Sequence, residues 1–169
     1  MITSTSELPD AEVLYQQLAL DIKQFIVEKK LQQPLIIGIR TGGAWLAQRL
    51  QHALELPELG ILDISFYRDD FDERGLVAQA KGSQLPDSIE DRAIILVDDV
   101  LMSGRTIRAA MNEIFDHGRP TSIHLACLLD IGQRQLPIQA DLVGAVLDLN
   151  VGQKIKLSGP NPLALTLDR

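Results

Sequence analysis

Asp98 and Asp99 stand side by side behind an apolar run in IILVDDVLMSGRT (94–106), and a loop of small residues follows them at once. Ser103, Gly104 and Thr106 open the next helical pattern, so their backbone N–H groups and hydroxyls can cradle a dianionic phosphate at the positive end of a helix. Two carboxylates would repel that anion if they touched it. They suit instead a neutral group rich in donors, such as vicinal sugar hydroxyls, or a bridging cation. A ribose 5-phosphate carries both halves of the required chemistry. The ordinary fate of such a pair after a strand, one residue capping and the other in a solvated turn, leaves the small-residue loop unexplained.

Other site chemistries fail on spacing or on missing residues. The G-x-G-x-x-G dinucleotide fingerprint is absent. Gly38 and Gly43 have Walker-A spacing, but Ala44 and Trp45 occupy the positions that need Lys and Ser/Thr. The acidic pair of phosphate-receiving signalling domains follows the first strand, whereas here 97 residues precede Asp98. The single cysteine, Cys127, lies in the apolar run IHLACLLD with no base near it in sequence, which points to a buried structural thiol.

The elements that position these residues follow from periodicity. Residues 10–30 form a helix with Val13, Leu14, Leu18, Ile22, Phe25 and Ile26 at helical spacing, begun by Pro9-Asp10. PLIIGI (34–39) is a buried strand, and GGAWLAQRLQHAL (42–54) a helix with Trp45, Leu46, Leu50 and Leu54 inward. ILDISF (61–66), AIILV (93–97), SIHLACLL (122–129) and ADLVGAVL (140–147) are further strands, 105–115 is a helix, and the tail supplies short edge strands. Strands that are apolar throughout and alternate with helices predict an α/β fold, a mainly parallel central sheet with helices on both faces. Ligands of such sheets bind beyond the carboxyl ends of the strands, which brings GIRTGG, ISFYRDD and LVDDVLMSGRT to one edge. The polar segment 67–92 is longer than ordinary connections and reads as a flexible, lid-like loop.

A chain of 169 residues with 46% hydrophobic and 23% charged residues suits one domain, 1–169, with a proper core. A net charge of −7 and a pI near 4.9 argue against a protein that grips polyphosphate backbones over a broad surface, while leaving room for a small basic pocket. The start MITSTSELPD has neither a basic n-region nor an apolar h-region, and no apolar stretch is long enough to span a bilayer, so a cytoplasmic protein is expected.

IILVDDVLMSGRT resembles the thirteen-residue signature of type I phosphoribosyltransferases. DISFYRDDF, VLMSGRTIRAA, GRP, LACLLD and QLPIQADLVG, in that order, resemble the pyrimidine-operon attenuation regulators that double as uracil phosphoribosyltransferases, over nearly the whole chain. The resemblance implies the type I phosphoribosyltransferase fold with a small hood from about 130–169. It implies 5-phosphoribosyl pyrophosphate, Mg²⁺ and uracil as reactants, UMP and pyrophosphate as products, and a homodimer or higher assembly. By the same resemblance Asp98 and Asp99 hold the ribose hydroxyls, and Met102, Ser103, Gly104, Arg105 and Thr106 bind the 5-phosphate. Arg40, Thr41 and Gly42 form the pyrophosphate loop, where this superfamily often has a non-proline cis peptide, and Arg68 and Lys81 add positive charge for the leaving group. Leu142, Val143 and Gly144 border the base.

Three departures from the family pattern carry weight. The pyrophosphate loop reads Thr41-Gly42-Gly43 where the family has Thr-Arg-Gly, one positive charge fewer. Gln16, Gln17 and Leu20 on the first helix stand where the family has RNA-binding basic residues, and Arg134 alone survives of a second basic cluster, so RNA recognition loses its electrostatic footing. DLVGAVLDLN lacks the family's Lys-Asn and is similar to the hood of hypoxanthine-type enzymes, in which Asp148 would lie near the metal. Beside the active uracil enzyme stand two alternatives: a nucleotide-sensing regulator with weak catalysis, and a purine phosphoribosyltransferase of hypoxanthine or guanine type.

Overall fold

Six strands align in one parallel sheet in the computed structural model, which describes the backbone of residues 2–3 and then residues 7–65 and 82–168. They are β1 (Ile2–Thr3), β2 (Leu35–Ile39), β3 (Leu59–Leu62), β4 (Ala93–Leu101), β5 (Ser122–Asp130) and β6 (Leu142–Leu147). Their order across the sheet is β1-β6-β5-β4-β2-β3, and every pairing is parallel. Among the described residues three helices cover it: α1 (Ala11–Glu28), α2 (Gly42–Ala53) and α3 (Arg105–His117).

Alternate side chains of each strand leave opposite faces, and both faces are covered. Leu35, Ile37, Ile39, Ile94 and Leu96 pack with Ile107, Ala110 and Ile114 of α3. Ile36, Ile95, Val97, Ala126 and Leu128 pack with Leu18 and Ile22 of α1 and Leu46 and Leu50 of α2. The chain leaves β2 toward β3 on one side and β4 toward β5 on the other, so the order reverses between the neighbours β2 and β4. A crevice at their carboxyl ends follows from that reversal.

Asp10 caps α1: its carboxylate accepts from the N–H groups of Glu12 and Val13 at 2.8 and 3.1 Å. The face α1 buries comprises Ala11, Tyr15, Leu18 and Ile22, whereas Val13 is turned to solvent. Glu12 is a three-way tie. It pairs bidentately with Arg49 of α2 at 2.8 and 2.7 Å and accepts from the Leu163 N–H at 2.8 Å. Cys127 is wholly buried, and burial pushes its thiol well above the ordinary range, consistent with a structural role.

Several boundaries differ from those expected. β4 runs to Leu101 rather than Val97, because β5 continues to pair with it through Leu101 and Asp130, so Asp98 and Asp99 lie inside the strand. β3 is Leu59–Leu62 rather than 61–66, since its neighbour strand in the sheet, β2, ends opposite Leu62 at Ile39. In the segment expected to be a loop, Gln84 bridges to Ile61 and Ile89 is fully buried in the core, so 82–92 belongs to the packed body. The remainder of that segment, 67–81, lies outside the described residues. The tail does not extend the main sheet. It forms a separate antiparallel hairpin, β7 (Lys154–Ser158) and β8 (Ala164–Asp168), whose Ile155 packs with Leu129, Ile131, Leu147 and Leu149. β1 carries no sequence pattern that announces it. No described helix is long and apolar enough to cross a membrane.

Candidate functional site

Asp98 and Asp99 emerge on opposite faces of β4. Asp98 is 3% exposed, and its carboxylate accepts from the Asp99 N–H at 2.9 Å. Asp99 accepts from the Val100 N–H at 2.9 Å and lies against the start of α2: a Cβ added to Gly42 would sit 2.3 Å from Asp99 Oδ2. Glycine at 42 is thus required by the carboxylate beside it, in addition to any ligand approach.

After β4 the chain turns into α3 through Gly104, whose φ of +91° is left-handed and costs glycine nothing. Three neighbours fix this turn. The Gln135 and Leu136 N–H groups donate to the Ser103 carbonyl at 3.0 and 3.2 Å, and Arg134 Nη1 donates to the Met102 carbonyl at 2.9 Å. In a planar trans peptide the N–H opposes the C=O. The N–H groups of Ser103 and Gly104 therefore point away from 134–136, free to meet an anion at the start of α3. Arg134 is in turn held by Asp130, at 3.0 and 2.5 Å, and by the Ile138 carbonyl at 2.6 Å. The arginine read as a remnant of a basic cluster is a brace for the loop.

These parts share one cleft of about 460 Å³. Residues 98–104 with Thr106 and Ile107 line it, together with Ile131 and the hairpin residues 153–156. Gln153, Lys154 and Lys156 were not anticipated. The only hint is the alternation KIKL, which marks a strand with two lysines on one side but does not say which strand end it covers.

The remaining expected residues are placed as follows. The Arg40–Thr41 peptide bond is cis. Arg40 Nε lies 3.9 Å from Asp63 Oδ2, and Nη2 donates to the Gly82 carbonyl at 3.4 Å. Thr41 precedes α2, so this loop adjoins the Asp99 side of the cleft through Gly42. Arg105 Nε donates to Gln135 Oε1 at 2.7 Å, which directs the guanidinium toward 135. Leu142, Val143 and Gly144 occupy the first half of β6, with Leu142 and Val143 opposite Ala126 and Cys127 of β5, and are not among the residues lining the cleft. The hairpin residues 153–156 are among the lining residues. Asp148 follows β6, exposed and apart from the cleft lining. Among the described residues no three or more His, Cys, Asp or Glu side chains gather as a metal cage. Arg68 and Lys81 lie outside the described residues.

Comparison with known proteins places this cleft in context. The phosphoribosyl transferase domain matches residues 5–152. The Bifunctional protein PyrR of Pseudomonas syringae pv. syringae is 53% identical over 161 residues, 95% of each chain. That of Pseudomonas entomophila is 52% identical over 159 residues, 94% of this chain and 92% of the relative. Among solved structures, a hypoxanthine phosphoribosyltransferase from Staphylococcus aureus superposes with a TM-score of 0.64 at 20% identity, covering 88% of this chain and 81% of the other. A purine phosphoribosyltransferase from Pyrococcus horikoshii gives 0.59 at 22% identity, covering 80% and 84%. At those identities the structural likeness concerns the fold.

Proposed function

The chain belongs to the phosphoribosyltransferase family, alongside the relatives named Bifunctional protein PyrR, and we propose that it transfers the 5-phosphoribosyl group of 5-phosphoribosyl pyrophosphate to uracil, giving UMP and pyrophosphate. One observation carries the reading: the acid pair and the phosphate loop open into the same cleft. In it Asp98 and Asp99 accept from the ribose hydroxyls, while the N–H groups and hydroxyls of 102–106 receive the 5-phosphate. The Arg40–Thr41–Gly42 loop borders the pyrophosphate beside Asp99. Ile131 and Ile155 give the cleft apolar surface against which a flat base can rest.

Breaking the bond from C1 to pyrophosphate builds positive character on the sugar and negative charge on the leaving group, so the protein's task is positioning and electrostatic stabilisation. The residues present fit Mg²⁺ brought in with the donor rather than caged by protein, since this ion keeps waters and takes one or two carboxylates plus phosphate oxygens. Asp98 and Asp99 would hold such a complex, and the ion would there offset the charge of the departing pyrophosphate. The second function named in "bifunctional" is read as sensing of the UMP that this cleft binds. Assembly as a homodimer or larger oligomer is part of the same reading.

The test replaces both acids. Two hydrogen bonds to carboxylates contribute about 1.5–3 kcal/mol each before non-additivity. Asp98→Asn with Asp99→Asn is therefore expected to keep the fold by circular dichroism and to weaken donor binding at least tenfold. Calorimetry giving unchanged donor affinity in the double variant removes the assignment.

A further inference from the structure

Among the described residues that line the cleft, the cationic side chains are those of the hairpin, Lys154 and Lys156. The loop's own cation, Arg105, is directed to Gln135 and is absent from the cleft lining. The nearby Arg134 is engaged by Asp130 and by the carbonyls of Met102 and Ile138. What the loop offers an anion is neutral, N–H groups and the hydroxyls of Ser103 and Thr106, and Asp98 and Asp99 bring negative charge to the same cleft. Among the described residues that line the cleft outside the hairpin, none is cationic.

β7 has two candidates. Lys154 and Lys156 both line the cleft and share one side of the strand, with the buried Ile155 between them. They are not equivalent. The Lys156 ammonium is 2.7 Å from Asp168 Oδ2 and makes an ion pair with it. The Lys154 side chain makes no ion pair or hydrogen bond among the described residues. A neutral base carbonyl gains less from an ammonium than a dianion does, because charge-assisted hydrogen bonds are the stronger kind.

We propose that Lys154 is a phosphate-binding residue, whose ammonium donates to the 5-phosphate of the bound nucleotide or donor from the hairpin side of the cleft. The proposal rests on the reading of the cleft as a phosphoribosyl site. The hairpin then becomes part of ligand recognition, and a bound phosphate ties it to the start of α3.

Calorimetric titration of UMP and of uridine, which lacks the phosphate, into the full chain tests this. Lys154→Gln is expected to weaken UMP at least tenfold and to leave uridine within about twofold, on the scale of one charge-assisted hydrogen bond. Lys154→Arg should restore most of the affinity. UMP affinity unchanged in Lys154→Gln overturns the proposal while sparing the phosphoribosyl reading, as does an equal loss for UMP and uridine. Failure of the unmodified chain to bind either UMP or the donor overturns both.

Discussion

Gly42 and Asp99 share one small volume, so a side chain added at 42 displaces the carboxylate. An alanine methyl at 42 would meet the Asp99 carboxylate at 2.3 Å and its Cβ at 2.9 Å, so the side chain must leave its position against α2. Gly42→Ala is expected to keep the fold and to lower donor affinity by about tenfold, the scale of one lost charged hydrogen bond. Donor affinity equal to that of the unmodified chain, measured by calorimetry, would show that the carboxylate can shift without consequence. The acid pair was legible in the sequence because its chemistry is local: two acids, small residues and a helix start lie within thirteen positions. The need for glycine at 42 is legible only as a tight turn, because the carboxylate that enforces it is 57 positions away.

At the scale of elements, the Glu12–Arg49 pair joins α1 to α2, and the Leu163 N–H adds the chain just before β8. The hydrogen bond from Arg49, reinforced by that from Leu163, lowers the Glu12 carboxyl from 4.5 to about 2. A folded-state value below the unfolded one stabilises the fold above pH 4.5, and the contribution disappears as pH falls from there toward 2. Thermal unfolding should therefore separate the unmodified chain from Glu12→Gln at pH 7, with the gap narrowing steadily from pH 4.5 to 2.5. A gap constant across that window would mean that the pair adds nothing through its charge. The sequence announces α1, α2, α3 and the buried strands because their apolar periods are long. It does not announce that Ile89 is core, because a single apolar residue among polar neighbours has no period. Nor does it place Lys154 and Lys156 at the cleft, since the hairpin's docking is decided by Ile155 meeting Ile131 and Leu149, contacts with no local pattern.

For the whole molecule, the order β1-β6-β5-β4-β2-β3 sets the crevice between the carboxyl ends of β2 and β4, and the parallel sheet itself was readable from strands that are apolar throughout. The electrostatics of the surface follow from composition. The net charge is −7, Gln16, Gln17 and Leu20 are exposed on α1 and Arg134 is engaged by Asp130, so these positions offer a polyanion no free cation. Binding to a pyrimidine-leader RNA hairpin is expected in the non-specific range, roughly 10⁻⁴ to 10⁻⁶ M at physiological salt. Nanomolar, sequence-dependent retention in a filter-binding assay would mean that assembly of several chains creates a basic surface that one chain lacks.

The choice of base tests the account most directly. Relatives at 53% identity over 95% of the chain carry the PyrR name, whereas the purine-type structures share the fold at about 20% identity, so the purine alternative is not favoured. A pocket built around specific hydrogen bonds rejects an analogue that lacks them more strongly than an apolar one does. Product analysis after incubation of the chain with 5-phosphoribosyl pyrophosphate, Mg²⁺ and equal amounts of uracil, hypoxanthine, guanine and xanthine should show UMP as the principal nucleotide. Faster formation of a purine nucleotide than of UMP under those conditions would contradict it.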